Sequence, residues 1–444
     1  MCRRIPLFWL FKSATLFSTL CFGLGNLSAQ DRIQAYVGAK LYPITADPIE
    51  EGTILVQNGK IIAVGSVDEI DIPDGAVVND VSGKEIMPGL VCTHSHIGQV
   101  SGADASGPIQ PEVRAYDSIN VRDARIEKAR AGGITTVNIM PGSGHLLSGQ
   151  TIYLKLRDGN KVDDLVIHNE DGSIAGGIKM ANGTNSIKDA PFPGTRAKSA
   201  ALVRAQYIKA QEYQKKLQAA ADDPEKDPPE RDLGLEALVE VLEGKRVVHH
   251  HTHRHDDILT VLRLKEEFGF RLVLQHVSEA WKVADEIAEA NVPCSIIYLD
   301  SPGGKLEARD IDWRNGAELE KRGVVTGFHT DDGVTDSRWF LRSAAFAVRA
   351  GMSEAGSLYG MTMAGAIMLD MEDRIGSLTT GKDADFIVLN GNPLSVYTRI
   401  EQTWIEGNKV FDLADPQDRL WANGGYGAGT PRTLQLCCYQ HLEN

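Results

Sequence analysis

Residues 87–96 read Met-Pro-Gly-Leu-Val-Cys-Thr-His-Ser-His. Proline and glycine bound a short apolar run, which predicts a buried strand over residues 89–93. Because side chains alternate along a strand, His94 and His96 project to the same side at its carboxyl end. Two imidazoles held side by side make half of a metal site. The pair alone is also compatible with two structural histidines, so the rest of the chain must decide.

The character of the chain changes at about residue 88 and again at about residue 372. Between these points apolar strands alternate with amphipathic helices, which is typical of repeated β/α units around a parallel sheet. Short β runs occupy residues 33–86, with the hairpin signal Asn58-Gly59 between two of them, and β character returns over residues 376–410. Two β segments therefore flank one α/β block, and the simplest packing joins them as one small sheet domain.

Residues 1–29 have the pattern of a secretory signal. Basic residues near the start precede an apolar stretch from Ala14 to Leu24, and small residues stand just before Gln30. The apolar stretch is short for a membrane span, although an uncleaved anchor is the alternative. We expect cleavage after Ala29 and a secreted or periplasmic protein that has no membrane contact once the signal is removed.

Composition excludes several partners. The formal net charge of -14 argues against a nucleic-acid partner and provides no basic patch for anionic membranes. The six cysteines show no disulfide framework, which is normal for a large domain with its own core. The expected partner is a small molecule. Oligomeric state is not indicated, and a homo-oligomer stays open.

A second group of histidines follows a β-branched run. Five of the 12 histidines lie within residues 246–255. Strand alternation places His249, His251 and His253 on one face, and only one or two of these can reach a metal at the strand end. We interpret His249 and His250 as structural.

Two later strands also end in metal-type side chains. Residues 270–276 end in His276, and residues 323–332 end in Asp331 and Asp332. A lone histidine or aspartate at a strand end is usually an ordinary polar terminus. Four strand ends of one α/β block are different, because barrel active sites gather at that face. Imidazoles and carboxylates from separate strands can converge there on a divalent metal.

On these residues the chain resembles the amidohydrolase superfamily, in the branch of imidazolonepropionase-like hydrolases, over roughly residues 32–412. The resemblance implies an α/β fold with a (β/α)8 TIM-type barrel over residues 88–372. It implies a composite β-sandwich from both chain ends, residues 30–87 and 373–415, and leaves residues 416–444 as a tail without an assigned role. The matching motifs are Pro88-Gly89-Leu90-Val91 with His94-x-His96, Gly132-Gly133-Ile134-Thr135-Thr136-Val137, His251, His276, Thr330-Asp331, Gly376-Ser377-Leu378 and Gly381-Lys382-Asp383-Ala384-Asp385.

The resemblance also implies the site. His94 and His96 would bind the more buried metal, His251 and His276 would bind a second, and Asp331 would be both a metal ligand and a proton shuttle. The cofactor would be one or two divalent ions, with zinc the best match to imidazole and carboxylate.

A bridging carbamylated lysine is common in this superfamily. Lys179, at another predicted strand end, is the candidate, and Lys188 is a weaker one. The alternative for Lys179 is an exposed lysine at the start of a loop. Neighbouring families place a glutamate shortly after this strand, whereas this chain has Thr184-Asn185.

The implied chemistry is hydrolysis by metal-activated hydroxide, in which Asp331 takes a proton and returns it to the leaving nitrogen. Asp332 is the rival carboxylate. His145, His253 and Arg254 are candidate substrate contacts, and Arg254 could pair with a substrate carboxylate. Surface placement is the alternative for all three.

The sequence thus predicts an exported metal-dependent hydrolase that cleaves a dipeptide or non-peptide C–N bond, in an amide or cyclic amide. One alternative is a single-metal deaminase or ring-opening hydrolase, in which Lys179 is unmodified and His276 hydrogen-bonds the substrate or the attacking water. Another is a non-catalytic binding subunit of the same fold, against which the intact ligand set argues. The fold does not specify the substrate.

Overall fold

The structure is a computed structural model and describes residues 32–98, 104, 106–299 and 305–424. The predicted signal, residues 1–29, and the end of the tail beyond residue 424 lie outside the described residues. Within the part that is described, no helix is long and apolar enough to cross a membrane.

The described residues form seventeen strands and eleven α-helices. The strands are β1 Gln34–Leu41, β2 Ile49–Gln57, β3 Lys60–Ser66, β4 Val77–Asp80, β5 Glu85–Pro88, β6 Leu90–Ser95, β7 Ile134–Ile139, β8 Leu147–Gln150, β9 Ile152–Lys155, β10 Ile178–Ala181, β11 Val248–Thr252, β12 Leu272–His276, β13 Cys294–Ile296, β14 Thr326–Phe328, β15 Phe386–Leu389, β16 Ile400–Ile405 and β17 Asn408–Asp412. The helices are α1 Ala124–Ala131, α2 Val162–Leu165, α3 Arg196–Asp222, α4 Leu233–Leu242, α5 His255–Phe268, α6 Ala284–Glu289, α7 Asn315–Glu320, α8 Arg342–Arg349, α9 Glu354–Met361, α10 Met363–Met368 and α11 Asp418–Asn423.

One sheet contains strands from both sides of the α/β block. Its order is β17-β16-β15-β5-β1-β2-β3, and β4 pairs with β1. The two chain ends meet where β5 pairs antiparallel with β15, with Pro88 opposite Phe386. The sheet curls on itself, because the backbone N–H of Ala384 donates to the carbonyl of Gly59 in the β2–β3 turn. Tyr36, Phe386 and Trp404 make ring contacts in its small core.

The α/β block contains seven parallel strands in two hydrogen-bonded ladders. One ladder is β6-β7-β9, and the other is β14-β13-β12-β11-β10-β8. In the chain, the antiparallel strands β8 and β9 lie between the second and third parallel strands. The α/β class is therefore as expected, while the ladders of the described strands do not close into a ring.

The first and last parallel strands meet just beyond β14. The backbone N–H of Asp331 donates to the carbonyl of His94 at 3.0 Å. Asp331 has a φ of +47°, outside the extended region, so regular strand pairing does not continue there. This single bond nevertheless brings the ends of β6 and β14 side by side.

A buried ion cluster ties the α/β block to the curled sheet. The Lys155 side chain, at the end of β9, is fully buried and contacts the carboxylates of Asp383, Asp385 and Glu406. Arg157 also pairs with Glu406, at 2.6 Å. Buried charges are tolerated when they are paired in this way. The motif Gly381-Lys382-Asp383-Ala384-Asp385 thus supplies two of the carboxylates that hold the two parts together.

Candidate metal centre

Strands β6 and β14 bring together the two histidines of the His-x-His motif and one aspartate. The Nε2 atoms of His94 and His96 lie 3.4 Å apart. Oδ1 of Asp331 lies 3.0 Å from Nε2 of His96 and 3.5 Å from Nε2 of His94. The donor atoms of these three residues lie close enough together to hold a metal ion. The predicted convergence of strand ends is present at this point.

A backbone carbonyl fixes the orientation of His96. Its Nδ1 lies 2.7 Å from the carbonyl oxygen of Met140, which can only accept a hydrogen bond. Nδ1 must therefore carry a proton, and this bond turns Nε2 toward His94 and Asp331. This arrangement, in which one ring nitrogen is held by a carbonyl while the other is free to ligate, is usual for metal-binding histidines.

Lys179 reaches the same point from β10. Its side chain is completely buried, and Nζ lies 3.0 Å from Nε2 of His94 and 2.9 Å from the sulfur of Met140. Burial lowers the pKa of Lys179 to about 7. Lys188, the weaker candidate, is exposed, and its Nζ lies over the ring of Phe192 instead.

Histidines from β11 and β12 line the adjacent side of the centre. The ring centroid of His276 lies 4.5 Å from that of His251, 4.7 Å from that of His94 and 5.1 Å from that of His253. All the rings are buried. The structure therefore brings His251, His253 and His276 into one cluster with the first histidine pair.

His329 belongs to this cluster, although the sequence analysis did not select it. Its ring stacks on that of His94 at 4.9 Å, and its Nε2 lies 3.0 Å from Nδ1 of His276. Its Nδ1 contacts the hydroxyl of Ser295 at 2.7 Å. Alternation along the predicted strand, residues 323–332, was the available signal, because His329 precedes Asp331 by two positions. Only the acidic residues at the end of that strand were considered as ligands.

A second donor set lies beside the first. His251, His253 and Glu307 form another group whose donor atoms could hold a metal ion. The ammonium of Lys305 lies 3.3 Å from Nε2 of His251, 3.2 Å from Nε2 of His253 and 3.3 Å from Oε1 of Glu307. Nδ2 of Asn185 also contacts Nε2 of His251, at 3.2 Å. Sequence reasoning missed Lys305 and Glu307, which follow no recognisable strand.

Two predicted substrate contacts lie away from the imidazole cluster. His145 is buried, with its ring 5.2 Å from that of Phe192. The guanidinium of Arg254 is partly exposed and pairs with Asp256 at 2.9 Å. Contact of either residue with a substrate stays a prediction.

His249 and His250, which were predicted to be structural, and Asp332, the rival carboxylate, form hydrogen bonds outside the metal centre. His249 contacts the hydroxyl of Tyr153 at 2.9 Å and the side-chain amide of Gln275 at 3.2 Å. Nδ1 of His250 contacts the backbone carbonyl of His251. Asp332 accepts hydrogen bonds from the backbone N–H and hydroxyl of Ser337, at 2.9 and 2.6 Å. None of these contacts involves a side chain of the histidine cluster.

Burial and mutual charge control ionisation in the centre. Burial, together with nearby lysines and histidines, holds the pKa of His94, His251, His253 and His276 well below the usual value. Burial alone would raise the pKa of Asp331, but the neighbouring imidazoles outweigh it and hold that pKa well below its usual range. Metal binding needs deprotonated imidazoles and an ionised carboxylate, and both sets of shifts run in that direction.

Backbone strain marks the same positions. His276 and Asp331 have φ values of +71° and +47°, in a region that side-chain-bearing residues seldom adopt. Such conformations cost roughly 1–3 kcal/mol each and cluster at functional sites. The surrounding fold therefore keeps His276 and Asp331 at the centre although their backbone conformations are unfavourable.

Unpartnered nitrogens test whether a metal fits. Within the described residues, Nε2 of His276 is buried without a hydrogen-bond partner, although buried polar atoms are normally satisfied. His276 groups with His94 and His329 as possible metal ligands, and His94 also groups with His96 and Asp331, so the centre offers imidazole and carboxylate donors that suit zinc. The residues present fit a divalent metal.

Comparison with known proteins identifies the family of the chain. The sequence profile of the Amidohydrolase family matches residues 86–411. The crystal structure of an amidohydrolase from Thermotoga maritima MSB8 is similar, with a TM-score of 0.79, 36% identity, and coverage of 85% of this chain and 99% of that one. Such neighbours imply a TIM-type barrel with an extra domain.

Two curated relatives share parts of the sequence. Amidohydrolase tasK of Hapsidospora irregularis is 26% identical over 392 residues, which are 81% of this chain but 40% of the relative. The imidazolonepropionase of Bacillus cereus is 28% identical over 124 residues, which are 28% of this chain and 27% of the relative. The chain therefore spans less than half the length of these curated relatives. The resemblance drawn from the motifs is confirmed: the chain belongs to the amidohydrolase family, hydrolases that act on carbon–nitrogen bonds other than ordinary peptide bonds.

Proposed function

We propose that this protein is a metal-dependent hydrolase that cleaves a C–N bond in a small-molecule amide, cyclic amide or dipeptide, and that its α/β block is a (β/α)8 barrel with a composite β-sandwich. The observation that carries the proposal is the position of Asp331, whose Oδ1 lies within 3.5 Å of Nε2 of both His94 and His96. The geometry of a histidine pair facing one ionised carboxylate is that of a hydrolytic metal site.

The donor set would hold one or two divalent ions, with zinc the best match. His94, His96 and Asp331 would bind the first ion. In a two-metal form, His251 and His276 would bind the second, and Lys179 would bridge the ions as a carbamate. When bound, the metal lowers the pKa of water and polarises the substrate carbonyl.

Asp331 would move the proton. Its pKa, held well below the usual range by the neighbouring imidazoles against the effect of burial, keeps the carboxylate ionised at neutral pH. It can therefore accept a proton from the attacking water and return it to the leaving nitrogen. Asp332 instead accepts two hydrogen bonds from Ser337, so its carboxylate is not placed to exchange a proton with the attacking water.

Substrate contacts would come from His145, His253 and Arg254. His253 is the best placed of the three, because its ring stacks on His276 at 5.1 Å while its Nδ1 is anchored to Ser278. Arg254 would have to exchange Asp256 for a substrate carboxylate, a bidentate pairing that guanidinium groups make readily.

A second candidate function is a single-metal deaminase or ring-opening hydrolase. The position of Lys305 favours it, because a side-chain ammonium already contacts His251 and His253. In this form Lys179 keeps its free amine, and His276 hydrogen-bonds the substrate or the attacking water.

We propose that the protein is exported. Residues 1–29 would be removed, leaving a secreted or periplasmic enzyme with a barrel over residues 88–372, a sandwich from 30–87 and 373–415, and a tail over 416–444. N-terminal sequencing of protein from the native host should find Gln30 first. A cytoplasmic product that retains Met1 would contradict export.

Metal analysis and a substrate screen test the activity. Protein expressed with added zinc should contain at least one zinc per chain and should hydrolyse a member of a panel of dipeptides, N-acyl amino acids and cyclic amides. Chelation should abolish that turnover. Protein without metal, or turnover insensitive to chelators, would refute the proposal, and bound metal with no turnover of any substrate would favour a non-catalytic binding subunit.

A further inference from the structure

We propose that the ammonium of Lys305 occupies the place of a second metal ion, so that the protein binds one zinc, at His94, His96 and Asp331. The inference rests on the proposed function and deepens it by fixing the number of metal ions. It concerns the second donor set, His251, His253 and Glu307, whose donor atoms lie within 4.8 Å of one another.

Lys305 contacts every member of that set. Its Nζ lies 3.3 Å from Nε2 of His251, 3.2 Å from Nε2 of His253 and 3.3 Å from Oε1 of Glu307. An ammonium has three donor hydrogens and no acceptor, so both imidazole nitrogens accept from it through their lone pairs. Those lone pairs are the ones a metal would need.

The imidazoles have the matching proton arrangement. Nδ1 of His253 lies 2.7 Å from the hydroxyl of Ser278, which leaves Nε2 as the acceptor for Lys305 when Nδ1 carries the proton. Nε2 of His251 has a second donor, the side-chain amide of Asn185 at 3.2 Å. Because Asn185 and Lys305 both donate to Nε2 of His251, this nitrogen must carry the lone pair of the ring. The two hydrogen bonds then occupy that lone pair.

Glu307 explains why a cation is needed at this position. Its side chain is 2% exposed, and Oε2 accepts from the backbone N–H of Thr184 at 2.7 Å. A buried carboxylate requires a positive partner. Arg196 lies 3.7 Å away but is already paired with Asp257 at 2.9 Å, so Lys305 supplies the nearer charge.

Removal of this ammonium would leave two imidazoles and a carboxylate, a donor set that binds zinc elsewhere. Conversely, a dication placed among them would stand beside the Lys305 charge, which repels it. The two donor sets therefore differ, because Lys305 contacts all three donors of the second set, whereas Lys179 contacts His94 in the first.

Zinc stoichiometry tests the proposal. Mature protein is stripped with a chelator, equilibrated with excess zinc, passed through a desalting column and analysed by elemental mass spectrometry. We expect one zinc per chain in the wild type and in Lys305→Arg, and two in Lys305→Met. Lys188→Met, which removes a lysine charge at an exposed position beside Phe192, is the matched control and should stay at one.

Two zinc ions in the wild type, or one in Lys305→Met, would overturn the inference. Absence of zinc from all variants would instead refute the proposed function. If Lys305→Met does not fold, anomalous diffraction from zinc-soaked wild-type crystals decides the question. One peak beside His94 and His96, with Lys305 on His251, supports the inference, and a second peak beside His251 rejects it.

Discussion

Nε2 of His96 lies 3.0 Å from Oδ1 of Asp331, and this contact joins the first and the last parallel strands of the α/β block. Strands β6 and β14 form no regular hydrogen-bonded ladder with each other, yet their carboxyl ends meet at the candidate metal centre. The N–H of Asp331, bonded to the carbonyl of His94, fixes the same junction through the backbone. The proposed proton transfer and metal binding would therefore both depend on this one junction of the fold.

Asp331→Asn should lower kcat by at least about 10²–10⁴-fold, because the amide keeps the shape and one oxygen but cannot accept the proton. Zinc content should be largely retained. Asparagine also tolerates the positive φ at this position, so folding should be little affected. Steady-state kinetics on a confirmed substrate and elemental analysis measure the two effects.

Asp332→Asn is the control for that variant. The side chain faces Ser337 rather than the histidines, so its kcat should change much less. Near-normal kcat in Asp331→Asn combined with a large loss in Asp332→Asn would show that the other carboxylate moves the proton.

Zinc uptake by metal-free protein should not depend on added bicarbonate. With one metal, Lys179 needs no carbamate, and its amine lies 3.0 Å from Nε2 of His94. Uptake is followed by elemental analysis in carbon-dioxide-free buffer, with and without bicarbonate. A bicarbonate requirement that disappears in Lys179→Met but not in Lys188→Met would instead establish the bridging carbamate.

His329→Phe should reduce activity by about 10–100-fold, the usual effect of removing a group that orients an active-site histidine. Phenylalanine keeps a ring beside His94 but cannot hydrogen-bond Nδ1 of His276. Zinc content should stay at one per chain. His255→Gln, at a partly exposed position on α5, serves as control, and equal activity in both variants would remove His329 from the site.

Lys155→Met should destabilise the protein by about 3–5 kcal/mol, the range for breaking a buried ion pair, because Asp383, Asp385 and Glu406 would lose their shared cation. Lys60 pairs with the same Asp383 but is 48% exposed, so Lys60→Met should cost at most about 1 kcal/mol. Urea unfolding compares the two variants. Similar small losses would mean that Lys155 contributes little to the junction between block and sheet.

Strand patterns predicted much of the centre. A buried strand was predicted over residues 89–93, and the structure has β6 over Leu90–Ser95. Alternation along this strand predicted that His94 and His96 lie together. The same rule located His251, His276 and Asp331 at strand ends. These residues are far apart in the chain, but they could be predicted to lie together because the carboxyl ends of parallel strands lie at one face.

Residues outside regular strands could not be found in this way. Lys305 and Glu307 lie beyond the end of β13, in a segment whose course no periodicity specifies. Asp331 itself departs from extended geometry, so the register of its neighbours is lost after Phe328. The antiparallel strands β8, which pairs with β10, and β9, which pairs with β7, were missed for a related reason, since each spans only four residues.

The shared sheet also has a consequence for the order in which the chain is made. Strand β5 emerges early from the ribosome, whereas its partner β15 begins only at Phe386. At about 5–20 residues per second, roughly 15–60 s separate the two. During that interval β5 presents an open edge, a template for pairing with other chains. Nascent chains arrested before Phe386 should therefore aggregate, because β15 is the strand that covers this edge in the folded protein.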